Sequence, residues 1–379
     1  MIPAREREKR IGKLRPFEKR VLTVAVALVM LIAGFSVYYS IGNTSGKPTL
    51  VVYTYPSFLT SGSNPKQAYA QVFGTFEKEY GVNIVVKRPS RGLIQTLELQ
   101  GTHPQANIVI GLNNIDAVEA VQQGLLAKYQ PPATEYINRT LMEELGSAVG
   151  YLTPYEYAYL GIDYNMSLTG GAILKTDFQD IAVNHTLAGN LLMEYPELSA
   201  TGEAFLLWEI SFYTYILHQN WTAWWSQMKQ YASDHIFDSW SQAFSRFETG
   251  AGTNMVVSYA TDPAYFRYFN QSAETNSTLI YYNGTAYGWR TIYGIGIVNH
   301  SENTALSEKF VNYFLSPVVQ NELPLNEWMY PANSTVRLPG VYRYAVNESA
   351  VFPLNNYLNA TDIQLNIENW LDEWIELMG

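Results

Sequence analysis

Apolar and polar positions along the chain alternate between two periods. From residue 49 onward, short runs of β-branched and aromatic residues are separated by stretches whose apolar side chains recur every three or four positions. Residues 49–55 (TLVVYTY), 82–88 (VNIVVKR) and 106–112 (ANIVIGL) read as strands. Between them, residues 67–80 read as a helix stopped by Gly81, and 93–100 as a second helix. Residues 116–124 form a third, closed by Gly124. Strands alternating with helices imply a mostly parallel α/β sheet. Residues 155–163 (YEYAYLGID) and 288–298 (GWRTIYGIGIV) alternate over longer runs, as crossover strands between two lobes do.

A second α/β region lies between those crossovers. Residues 191–195 and 254–259 read as strands. Ser199-Ala200-Thr201-Gly202 opens a helix running to about residue 218, and residues 221–232 and 240–247 are helical. After the second crossover come helices over 304–315 and 363–377. The pattern predicts one lobe from 49–154 with 291–379, and another from 155–290. No internal repeat or low-complexity tract interrupts it.

The N-terminus has a different pattern. Residues 21–45 contain no charge, and 21–40 (VLTVAVALVMLIAGFSVYYS) are mostly apolar, long enough for a helix across the hydrocarbon core. Residues 1–20 hold eight basic and three acidic residues. This places 1–20 in the cytoplasm, a transmembrane anchor over 21–42, a linker over 43–48 and the remainder outside. A cleaved signal peptide is the rival; the apolar run is longer than such peptides use, and VYYSIG is a poor cleavage site. Twelve Asn-x-Ser/Thr triplets all lie after the apolar span, at Asn43, Asn138, Asn165, Asn184, Asn220, Asn270, Asn276, Asn283, Asn299, Asn333, Asn347 and Asn359. Chance gives roughly four or five. They fit an outward-facing, archaeal glycoprotein; an unmodified Asn-rich surface stays open.

Composition narrows the chemistry. With 379 residues, 47% apolar and 14% aromatic, the chain is long enough for two packed domains. It has no Cys, which excludes disulfides, thiolate catalysis and Cys-ligated zinc. Its five His residues show no helical pair, so no metal site is expected. Beyond residue 20 there are 16 basic and 31 acidic residues. Such a body repels nucleic acid and favours cations. No nucleophile elbow, phosphate-binding loop or zinc-protease motif occurs. A chain without catalysis or cofactor is expected.

Six segments then carry a resemblance. They are Val52-Tyr53-Thr54-Tyr55-Pro56-Ser57-Phe58, Ile110-Gly111-Leu112-Asn113-Asn114, Tyr155-Glu156-Tyr157-Ala158-Tyr159, Trp240-Ser241-Gln242-Ala243, Ser258-Tyr259-Ala260-Thr261-Asp262-Pro263-Ala264-Tyr265 and Asn326-Glu327-Trp328-Met329-Tyr330-Pro331. In order and spacing the chain resembles the periplasmic thiamine-binding proteins of ABC importers, over essentially everything beyond Lys47. The resemblance implies a type II periplasmic-binding fold whose two α/β lobes close on a ligand. It also implies a monomer that hands its ligand to a membrane permease and its ATPase. Tyr55, Trp240, Tyr259, Tyr265 and Trp328 match the family's aromatic cage, and aromatic faces attract a thiazolium cation by about 0.5–2 kcal/mol each.

The acidic half of the family site is altered. Pro56 and Asn113 stand where the family has Asp, Glu156 replaces Asp, and Asp262 stands where Ser is common. Asn113 keeps a hydrogen-bond acceptor, and Asp262 or Glu156 is expected to supply the lost charge. Ser199, Thr201 and Gly202 resemble the family's turn at a helix N-terminus, where a phosphate of thiamine monophosphate or diphosphate can sit; an ordinary helix cap is the alternative. A polyamine, metal chelate or anion on the same fold stays open, as do a carboxylate hydrolase and an adhesin.

Overall fold

The structure is a computed structural model and describes residues 46–250, 253–269 and 274–379, without the Ser233 side chain. The predicted anchor over 21–42 lies outside the described residues. Among the described residues, no helix is long and apolar enough to cross a membrane.

The strands are β1 (Thr49–Thr54), β2 (Asn83–Lys87), β3 (Ile108–Asn113), β4 (Leu126–Ala127), β5 (Leu152–Asn165), β6 (Leu191–Glu194) and β7 (Ile236–Phe237). They continue as β8 (Met255–Tyr259), β9 (Thr275–Thr278), β10 (Ile280–Tyr282), β11 (Thr285–Gly288), β12 (Arg290–Val298), β13 (Tyr330–Pro331) and β14 (Val351–Pro353). The main sheet runs β2-β1-β3-β12-β5-β8-β6-β7, with β4, β9 and β13 paired at its sides. β10, β11 and β14 form a small separate sheet absent from the sequence reading.

The expectation of a mostly parallel sheet needs correcting at its centre. β1 pairs parallel with β2 and β3, and β6 with β7 and β8. β12, however, runs antiparallel to both β3 and β5, and β5 antiparallel to β8. A period of two reports a strand's two faces and nothing of its direction. β5 is the 14-residue strand of the sheet: its first part pairs with β12 and its second with β8 and β9. β12 shifts register on both sides of Gly294, against β5 and against β3. A Cβ at Gly294 would lie 2.4 Å from the Leu152 side chain, so glycine lets the strands close there. Such a bulge re-aims the neighbouring side chain.

Helix ends follow the sequence signals. The first helical run covers Pro65–Tyr69, a wider turn over Ala70–Gly74, and Thr75–Tyr80; it stops at Gly81 with φ +65°. Asn64 caps its start by accepting from the Gln67 N–H. Five tryptophans, Trp208, Trp224, Trp225, Trp289 and Trp374, are fully buried. Most of the chain's wide aromatics are therefore core.

The triplets have a local structural role. At Asn138, Asn165, Asn184, Asn220, Asn333, Asn347 and Asn359 the Asn Oδ1 accepts the backbone N–H two residues on, at 2.9–3.2 Å. This is the turn that Asn side chains stabilise, usually before a helical turn. Asn333 is buried, and its Nδ2 donates to the Leu315 carbonyl at 2.9 Å, which closes that triplet to a glycan in the folded chain. Asn43 and Asn270 lie outside the described residues.

Candidate functional site

A cleft of about 1240 Å³ opens where β1 and β3 end on one side and β8 and the helix Ala200–Ser211 stand on the other. Tyr55, Trp240, Tyr259, Tyr265 and Trp328 all line it, as do Asp262, Ser199 and Thr201.

Tyr55 follows β1 directly and leans on Tyr293 at 5.7 Å between ring centres and on Phe58 at 5.6 Å. Its hydroxyl stands 2.6 Å from Glu327 Oε2 and 3.0 Å from Glu156 Oε1, with the Tyr155 hydroxyl at 3.4 Å. One phenolic proton cannot serve both carboxylates. Burial, then the neighbouring Glu327 charge, pushes the Glu156 carboxyl well above the usual range. Glu327 is itself raised to about 8 by burial, offset by Tyr55 and by the Leu59 N–H that it accepts.

Across the cleft, Tyr259 ends β8. Its hydroxyl meets Tyr293 at 2.9 Å and Thr201 Oγ1 at 3.3 Å. Trp240 opens the helix Trp240–Glu248, stacks on Phe244 at 4.6 Å and donates through Nε1 to Ser258 Oγ at 2.9 Å. Ser258 in turn donates to Asp262, which also accepts the Tyr259 N–H at 3.1 Å. Trp328 has φ +59°, a conformation costing an ordinary residue of order 1–3 kcal/mol. Its Nε1 donates to the Ser61 carbonyl at 3.1 Å, and its ring packs within 5.3–5.6 Å of Tyr265, Tyr268 and Phe269. These contacts hold an otherwise strained stretch of backbone in place.

Three expected residues stand off the wall. Asn113 is buried, and its Oδ1 accepts the N–H groups of Ile115 and Asp116 at 2.7 and 2.8 Å, so that acceptor is occupied by a helix start. Glu156 is fully buried behind Tyr55. Gly202 packs against the preceding strand: a Cβ there would sit 2.7 and 2.8 Å from the Glu194 and Tyr195 carbonyl oxygens. The Ser199 hydroxyl caps the helix, accepting from the Gly202 N–H at 3.4 Å.

The charge on the wall comes largely from residues the sequence reading passed over. Asp116, Glu203, Asp262 and Glu327 form the inner set. Glu119, Glu197, Asp238, Glu248 and Glu368 are exposed at the margins. No Lys, Arg or His lines the cleft among the described residues. Burial raises Asp116 to about 7 and Asp262 to about 6. Glu203 is pushed well above its ordinary value by burial, then by the charges of Asp116 and Glu119. Glu327 and Tyr293 were detectable in principle: one adjoins Trp328 in a family-like segment, the other sits at the Gly294 bulge. Nothing local marks Asp116 and Glu203, which come together only in the fold. An aromatic wall with carboxylates and, among the described residues, no base can hold a ring-bearing cation. No cluster able to hold a metal ion is present among the described residues.

The family model described as bacterial extracellular solute-binding protein matches residues 61–321. The thiamine-binding periplasmic protein of Brucella suis is 26% identical over 351 residues, 90% of this chain and 96% of the relative. Its Escherichia coli counterpart is 26% identical over 336 residues, 86% and 93% of the two chains. Among solved structures, a periplasmic thiamin binding protein superposes with a TM-score of 0.74 at 21% identity, covering 89% of this chain and 98% of that one.

Proposed function

Because the chain belongs to the bacterial extracellular solute-binding protein family, with no chemistry of its own, we propose that the solute it captures for its ABC importer is thiamine or one of its phosphates. The observation that carries the reading is the cleft: Tyr55, Trp240, Tyr259, Tyr265 and Trp328 converge on a wall that holds carboxylates and, among the described residues, no base. Relatives named thiamine-binding match across nearly the whole length. Capture is binding between two lobes, 49–154 with 291–379 and 155–290, which hinge on β5 and β12 and then dock on the permease. The change of partners along β5 supports that division.

The binding region faces outward, tethered through residues 21–42 as a single-pass anchor, and the protein acts as a monomer. Glycans at exposed Asn-x-Ser/Thr triplets and an archaeal origin fit the same picture. Intact-mass analysis of membrane-extracted protein checks this: residues 1–45 retained and discrete added masses are expected, and a chain starting near residue 41 overturns the anchor.

The wall, carboxylate-lined and without a base among the described residues, also favours a second reading, a polyamine. A thermal-shift panel separates the two. Thiamine compounds raise the melting temperature and spermidine and ferric citrate leave it unchanged; the reverse result replaces thiamine with the other solute.

A further inference from the structure

Among the described residues, Tyr293 is the one residue of β5 or β12 that lines the cleft. It owes that place to the bulge beside it. The register against β5 shifts between Tyr293 and Gly294, and the register against β3 shifts between Gly294 and Ile295. Such a shift turns the adjoining side chain out of the regular alternation. Tyr293 then touches one wall residue from each side of the cleft. Its ring lies 5.7 Å from the Tyr55 ring, tilted by 35°. Its hydroxyl lies 2.9 Å from the Tyr259 hydroxyl. Tyr259 continues to Thr201 Oγ1 at 3.3 Å, in the first turn of the helix Ala200–Ser211.

A place on β12 gives this ring a role that the other aromatics do not share. When two bodies rotate about a hinge, a group moves in proportion to its distance from the axis, so a side chain on a hinge strand moves least. Tyr55 travels with one half and Tyr259 with the other, while Tyr293 stays between them. Its hydroxyl is engaged by Tyr259, so what it offers a solute is ring surface, which suits a planar heterocycle.

We infer that Tyr293 is the sixth aromatic of the site: its ring is the floor on which a planar heterocycle rests while Tyr55 and Tyr259 close over it. The inference rests on the thiamine reading and on the hinge at β5 and β12.

Titration calorimetry of thiamine tests this on the full chain and on its Tyr293→Leu and Tyr293→Phe variants, with the melting temperature of each ligand-free protein measured alongside. Tyr293→Leu keeps apolar bulk and removes the ring. It is expected to weaken thiamine binding at least about tenfold, equivalent to ~1.4 kcal/mol. Tyr293→Phe restores the ring without the hydroxyl. It is expected to recover most of that loss, even where its melting temperature stays as low as that of Tyr293→Leu. If the Leu variant does not fold, Tyr293→Met, unbranched and of similar reach, takes its place. Wild-type affinity in the Leu or Met variant overturns the role, and so does a Phe variant that binds as weakly as the Leu variant; either result leaves the thiamine reading standing. Absence of thiamine binding by the wild-type chain overturns the thiamine reading and this role with it.

Discussion

Tyr55 shows how much of a cleft residue's behaviour comes from its neighbours. Its ring belongs to the aromatic wall, while its hydroxyl lies between Glu156 and Glu327, one buried behind it and one beside it. The aromatic half of the site was legible because Tyr and Trp sit inside recognisable segments. The acidic half was not, because Asp116, Glu203 and Glu327 acquire their role from burial and from each other. Truncating an aromatic face should show directly: Trp328→Ala or Tyr259→Ala is expected to weaken thiamine binding at least about tenfold by calorimetry, consistent with one cation–π contact plus lost ring packing. Unchanged affinity in both removes the cage assignment.

The inner carboxylates also make a pH prediction. Asp116 near 7, Asp262 near 6 and Glu327 near 8 have folded values above their unfolded ones. Between about pH 4 and pH 8 the folded apo protein therefore holds more protons than the unfolded chain, so its stability falls as pH rises through that window. A bound cation favours the ionised forms, so affinity rises over the same window with proton release. Melting curves and calorimetry in buffers of different ionisation enthalpy, from pH 5 to 8, should give these opposite slopes.

At the scale of elements, two glycines fix where the wall stands. Gly111 lies in β3 with φ +102°, and a Cβ there would lie 2.3 Å from the Tyr55 ring. Gly111→Ala is expected to displace Tyr55 and lower ligand affinity while far-ultraviolet circular dichroism stays unchanged. Gly202 faces backbone carbonyls, which cannot move aside as a side chain can. Gly202→Ala should therefore reduce unfolding free energy in urea by about 1–3 kcal/mol, the usual cost of overpacking. Element positions were readable because stops are local: Gly81 and Gly124 act within their own turns. Strand direction was not, because β12 and β5 look alike whichever way they run.

At the scale of the whole molecule, charge is segregated from the site outward. An acidic body converging on a carboxylate-lined cleft should steer a cationic ligand inward. Stopped-flow fluorescence should show the association rate falling as ionic strength rises, with the dissociation rate changing less; a salt-independent association rate removes the steering role. The last helix, Ala360–Met378, adds to the wall from a distance in sequence: Ile363, Gln364 and Glu368 line the cleft, while Trp374 is buried against Tyr195 and Trp225.

By itself the sequence determined the positions of the longer strands and helices, the apolar N-terminal run, the excess of acid and the five aromatics of the wall. Each is written in neighbouring residues, in periodicity, composition or a short segment. Only the tertiary structure decided the antiparallel centre of the sheet, the burial of Glu156 and Asn113, and the meeting of Glu203 with Asp116. These depend on which distant segments lie together. Burial and charge act through space, and the wall's acidity is a property of that assembly.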